Sequence, residues 1–269
     1  MWLPAANYRH GVFRFLLSRR WIGFAIFVIV LSASCYRLGL WQWHRLENRL
    51  AENKVITKHM KADPVDLDSV LTVGKPQTDK QQWTRVRATG TYDVGHQISV
   101  RFSTRDGAPG ADVVTPLVLA SGAAILVDRG WIATGNNSVA PTDVPAPPSG
   151  SVTIEGWLRA NNGTRQGANI PANGQVRAIS SDGVKSYVPY KLYDGYLNLR
   201  KETPPATTKL AAEPKPELGQ GPHFFYALQW WFFAILGAFG WFYFAWVEEM
   251  ERRKQIELAN HRADLAAKD

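Results

Sequence analysis

The sequence predicts an α+β membrane protein: two transmembrane helices flanking an extracytoplasmic domain built on an antiparallel β-sheet or small barrel. Three observations predict it. An apolar run near each end of the chain, Trp21 to Trp43 and Phe224 to Val247, is long enough to cross a bilayer. Between these runs the hydrophobic period changes from helical to two. The period-two stretches are short and separated by close-set turn residues, as in an antiparallel sheet or barrel.

The first transmembrane helix is expected over 21–43. Its one charge is Arg37. With the ends at Trp21 and Trp43, Arg37 lies about 7 Å outward of the midplane and can snorkel toward the head groups. Residues 1–20 form an N-terminal segment with Arg9, Arg14, Arg19 and Arg20 and no acidic residue. Arg252, Arg253 and Lys254 follow the second run. Both clusters obey the positive-inside rule, which predicts cytoplasmic termini and a plasma-membrane protein. Arg45, Arg49, Lys54 and Lys58 run against that signal, but long loops cross largely regardless of charge. A competing reading is a signal peptide ending at Ser32-Ala33-Ser34-Cys35. Leu38, Leu40, Trp41 and Trp43 continue the apolar run past that cut, which favours an uncleaved anchor.

Residues 44–222 form the expected extracytoplasmic domain. Trp43, Leu46 and Leu50 keep helical spacing, so the first helix should continue to about His59, before Asp63-Pro64 stops it. Strands are expected at Trp83 to Tyr92, His96 to Ser103, Asp112 to Leu119, Ala123 to Ile132 and Ser151 to Arg159. Tyr187 to Leu199 is expected to hold one or two more. Gly135 to Gly150 reads as a long loop. Residues 203–222 contain Pro204, Pro205, Pro214, Pro216 and Pro222 and read as an extended tether. The second transmembrane helix is expected over 223–247, with Ala234 and Ala238 as a small-residue ridge for close packing on the first. Residues 248–269 read as a charged cytoplasmic tail that frays.

Composition excludes several functions. The net charge of +8 is spread along the chain with no compact nucleic-acid signature, so no nucleic-acid partner is expected. The one cysteine, Cys35, rules out an intramolecular disulfide. Met1, Met60 and Met250 do not cluster, as a copper-handling site would need. No zinc-type ligand pair, nucleophile elbow, P-loop or dinucleotide fingerprint occurs, so an enzyme is not expected. In Asp128-Arg129-Gly130-Trp131, a strand end and turn are expected, with Arg129 a surface residue or ion-pair partner.

The second apolar run is chemically distinctive. Of its 24 residues, 13 are aromatic, more than interface belts need. His223, Tyr226, Ala227, Trp230, Ala234, Gly237 and Trp241 share one helical face. A flat ligand such as a porphyrin suits that face, with His223 as an axial ligand of haem iron. The other reading makes His223 an interfacial cap. Trp41-Gln42-Trp43-His44-Arg45 ends the first run at the same membrane level. Arg45 is a candidate partner for a haem propionate, and His44 a candidate second ligand. Alternatively, both are snorkelling side chains at an interfacial turn.

Four stretches together resemble the surfeit locus protein 1 family, the cytochrome c oxidase assembly factors, and most closely its actinobacterial members. They are Gly39-Leu40-Trp41-Gln42-Trp43-His44-Arg45, Gly110 to Leu117, Val127 to Ile132, and His223-Phe224-Phe225-Tyr226-Ala227 with Trp230. The resemblance implies a membrane-bound chaperone of haem-copper oxidase maturation, with haem a as cofactor and His223 as its ligand. The implied partners are the oxidase catalytic subunit and, beyond it, haem a synthase or a respiratory supercomplex. A stable accessory subunit without a haem role is the alternative.

Overall fold

A computed structural model describes residues 14–136, 141–162 and 167–266. Most of the N-terminal segment expected over 1–20, and the last three residues of the tail, lie outside these. In chain order the elements are α1 (Arg19–Lys61), β1 (Val65–Asp66), α2 (Leu67–Val70), β2 (Arg85–Tyr92), β3 (Ile98–Arg105), β4 (Ala108–Leu119), β5 (Ala124–Ala133), β6 (Ser151–Arg159), β7 (Gln175–Val176), α3 (Ser181–Val184), β8 (Leu192–Thr203) and α4 (His223–Ala266). The chain divides into two compact units, Met1–Ala51 with Leu218–Asp269, and Glu52–Glu217.

In the first unit α1 and α4 pair as antiparallel helices. Trp21, Val28, Cys35, Gln42 and Arg49 recur every seven residues on α1, with Ser32, Gly39 and Leu46 as a second row. This is the spacing that keeps one helix face on its partner. On α4 the facing positions are Ala227, Trp231, Ala234, Trp241 and Ala245. The Ser32 hydroxyl donates to the Ala234 carbonyl at 3.1 Å. The Trp43 and Trp231 rings lie 5.8 Å apart, and Trp21 and Trp241 meet edge-on at 6.0 Å. Gly237, rather than the exposed Ala238, gives the second small position, against Ser32 and Val28.

The outer faces are apolar as well. Phe27, Ile29, Phe232 and Phe239 are all exposed. Helices apolar on every side suit a lipid surround, and both are long and apolar enough to cross a membrane. Helix α4 also runs unbroken through the expected tail to Ala266. The pairs Arg252–Glu248 and Arg253–Glu249, one turn apart, support its charged extension.

The second unit is built on one eight-stranded sheet in the order β1-β2-β6-β8-β5-β4-β3-β7, with β2 also pairing β4. That extra pairing closes β2, β6, β8, β5 and β4 into a five-stranded barrel. The expected barrel is present, but its ladder is not wholly antiparallel. β5 runs parallel to β8, with Leu126 opposite Tyr196 and Val127 opposite Leu197. Parity requires this: five strands around a closed ring cannot all alternate in direction. Period-two patterning marks the strands but carries no information about direction.

The barrel interior is filled by residues such as Val86, Leu117, Ile125, Val127, Ile154 and Leu197. Leu67 and Leu71, in and just after α2, join that core. A second cluster outside it packs Ile98, Val114 and Leu126 against Val176, Ile179 and Val184. The described part of the chain between β6 and β8 is thereby held down by apolar contacts, although it contributes only short elements.

The Pro-rich stretch is not a free tether throughout. Trp131 N–H donates to Ala211 at 2.7 Å, and Ala211 N–H donates back at 3.0 Å. Arg105 donates to the Ala212 carbonyl at 2.9 Å, and Arg200 donates to that of Glu213 at 2.7 Å. Between Pro205 and Pro214 the backbone N–H groups remain, so this part of the stretch can join a ladder.

Candidate functional site

Helix α4 begins at His223, where Tyr226 N–H donates to the Pro222 carbonyl at 3.1 Å. Arg49, on the seam of α1, donates from Nε to the Gly219 carbonyl at 2.8 Å. Two turns from Arg49 toward the helix centre lies Gln42. His223 Nδ1 and Gln42 Oε1 are 2.9 Å apart. A carboxamide oxygen can only accept, so facing this oxygen a neutral ring carries its proton on Nδ1 and a lone pair on Nε2. His223 is half-buried.

The other expected site residues are not equally close. Tyr226 and Trp230 follow His223 on one flank of α4, Tyr226 47 % exposed and Trp230 half-buried. Arg45 turns back along α1, its guanidinium 5.5 Å over the Trp41 ring. His44 is exposed. It stands two residues from Gln42 and two from Leu46, about 200° around the helix from each. The seam side chains leave it on the opposite face of α1 from His223. The structure therefore joins His223 to Gln42 and separates it from His44. Gln42 was missed as a partner. Its signal is the seven-residue repeat from Trp21, which sets a polar side chain in an apolar seam.

The barrel unit holds a second polar cluster. Asp112, Asp128 and Glu213 bring carboxylate oxygens within 4.8 Å of one another. Arg105 ion-pairs with Asp112 at 2.7 Å and also with Glu213, so a guanidinium already neutralises part of this charge. Asp128 is 4 % exposed and accepts from Asn198 Nδ2 at 2.8 Å and from Gly130 N–H at 3.1 Å. Burial first, and then the charges of Asp112 and Glu213, push its pKa up to about 8.

The sequence profile of the SURF1 family matches residues 29–235. This chain belongs to the SURF1 family. Its relatives include SURF1-like proteins of Mycobacterium bovis and Mycobacterium tuberculosis. Each is 31 % identical over 245 residues, covering 90 % of this chain and 89 % of the relative. The expected likeness to actinobacterial members agrees with these mycobacterial matches.

The SURF1 resemblance now has a structural meaning at each stretch. Gly39 to Arg45 is the part of α1 that receives α4. Gly110 to Leu117 lies in β4, and Val127 to Ile132 in β5. In that second stretch the expected strand end is absent: β5 continues to Ala133. Val113 pairs with Gly130 while Val114 pairs with Asp128, so Arg129 is an extra residue in a β-bulge. Gly130 has φ +129, and a Cβ there would lie 2.6 Å from the Ala211 carbonyl oxygen. Glycine at this point lets the tether dock on Trp131. Arg129, expected at the surface or in an ion pair, is 6 % exposed and forms no ion pair within 4 Å among the described residues, although the charge of Glu202 acts on it at longer range.

Proposed function

We propose that this SURF1-family chain is a membrane-anchored assembly factor for haem-copper cytochrome c oxidase. It holds haem a, the catalytic subunit, or both during maturation through the outer end of the α1–α4 pair. The observation that carries the reading is the His223–Gln42 contact. Gln42 keeps the proton on Nδ1, so Nε2 is in the form that binds a metal. Were haem bound, His223 would be the residue to hold its iron. Tyr226 and Trp230 present a flat aromatic surface beside it, suited to one face of a porphyrin. With His44 on the other side of α1, His223 is the one histidine of this pair that would hold the iron. Arg45 reaches a propionate only by leaving Trp41. The surface is open, which suits passing a cofactor on; no covalent bond of the cofactor itself need be made or broken.

In this reading both helices span the plasma membrane with cytoplasmic termini, and the barrel unit lies outside. The basic residues beyond each apolar run support that orientation. The oxidase catalytic subunit is the main partner, with haem a synthase or a respiratory supercomplex as further ones.

The exposed rings of Phe225, Phe239 and Phe242 favour a second reading, a stable accessory subunit that uses α4 as a protein interface. One experiment separates the two. The protein is purified from cells making haem a, and its visible spectrum is recorded. A haem band present in the wild type and lost in His223→Ala supports the assembly role. A colourless wild-type protein that co-purifies one-to-one with mature oxidase overturns it.

A further inference from the structure

The bulge in β5 does more than admit the tether. It turns Arg129 out of the strand alternation and buries a guanidinium that forms no ion pair within 4 Å among the described residues, with the longer-range charge of Glu202 acting on it. The Arg129 NH2 group donates to the Pro145 carbonyl at 2.9 Å, and its NH1 group reaches Gln97 Oε1 only at 3.4 Å. The guanidinium lies 5.6 Å from the centre of the Tyr92 ring. Its Nε has no acceptor. Burial lowers the Arg129 pKa. The charge of Glu202 only partly offsets this, and a buried cation without a directly paired carboxylate favours an anion.

A cavity of about 160 Å³ opens beside it. That is well above the ~10–15 Å³ that one water requires. One wall is β8, with Arg200 and Lys201, and the other is the docked tether, with Lys209. The carboxylate on the wall, Glu202, is already engaged, accepting from Ala206 N–H at 3.1 Å and from the Tyr92 hydroxyl at 3.4 Å. Four basic side chains therefore border a space with one committed carboxylate.

The geometry points to an oxyanion-binding site: the cavity between β8 and the tether takes a small carboxylate or phosphate group on Arg129. A guanidinium fork with unused N–H groups matches either oxyanion. This site is independent of His223 and of any haem role.

The test uses the full chain in detergent micelles. Its thermal unfolding is followed while sodium phosphate or sodium acetate replaces sodium chloride at constant ionic strength. Saturable stabilisation by phosphate identifies a phosphate site, and by acetate a carboxylate site. Arg129→Gln removes the effect. If Arg129→Gln does not fold, Lys209→Glu carries the test, because that exposed tether residue can change without disturbing the core. It weakens the apparent affinity at least tenfold. The proposal is overturned if neither anion differs from chloride. It is equally overturned if a folded Arg129→Gln, or Lys209→Glu, binds as the wild type does.

Discussion

Gly39 of α1 and the Trp231 indole of α4 occupy one space: a Cβ on Gly39 would overlap the indole ring. The helix pair therefore depends on a missing side chain at the point of closest approach. Gly39→Val forces the helices apart, an overpacking cost of about 1–3 kcal/mol. Cys35, one turn earlier in the same seam, is 5 % exposed and reports the separation. A membrane-permeant maleimide should label Cys35 about tenfold faster in Gly39→Val than in the wild type. Equal labelling rates would mean that the seam tolerates the extra bulk.

Gln42 and His44 are two residues apart and should behave as opposites. Gln42→Leu removes the acceptor that orients His223. Loss of such a supporting contact typically costs about 10–100-fold in metal affinity. His44→Ala, on the far face, should leave haem occupancy unchanged. Absorbance per mole of purified protein measures both, and equal losses would contradict the assignment.

Gly130→Ala should release the tether. The added Cβ meets the Ala211 carbonyl, and φ +129 is strained for an L-residue. Trypsin should then cut after Lys209 about tenfold faster. Gly135→Ala serves as control, since a Cβ there meets nothing within 4 Å. If both variants are cut at the wild-type rate, the Trp131–Ala211 bridge does not hold the tether.

Asp128 predicts a pH dependence of stability. Its pKa is raised in the folded chain to about 8. The folded state therefore keeps a proton that the unfolded chain releases in the ordinary carboxylate range. The associated stability is complete below that range and is lost as pH rises toward 8, by at most about 1.4 kcal/mol per pH unit. Asp128→Asn removes the titration, and its amide can still meet Asn198, whose Oδ1 lacks a partner. Chemical unfolding of the full chain between pH 5 and 8 should show the wild type losing stability relative to the variant. Parallel curves would show that Asp128 is ionised throughout.

The proposed orientation has its own check. A reporter fused after Asp269 should be active in the cytoplasm alone. Activity on the outer side would put His223 at the wrong face of the membrane.

Much of this fold is legible in the residues, because helix runs and strand alternation are local patterns. α1 ends at Lys61 where His59 was expected, and the five main strands fall where period two occurs. The parallel β5–β8 pairing is not legible, because strand direction is set by the whole ring. The docking of Ala211 is hidden for a related reason. Prolines signal an extended chain, while its partner, Trp131, lies 80 residues away. Arg129 could not be placed from its neighbours, since a bulge is a mismatch between two strands and shows in neither alone. The separation of His44 from His223 was available from helix geometry once Gln42 was known to face the seam. The shared membrane level drew notice to His44 and Arg45 but carried no rotation.

The sheet ends on strands of two residues each, β1 at one edge and β7 at the other. Beyond β7, the uncovered half of β3 is bent by a bulge at Phe102, which has φ +66, and carries Arg101 and Arg105. Short, kinked and charged edges give a foreign strand no template to extend. The barrel unit is thereby shielded from being stitched into a neighbour's sheet.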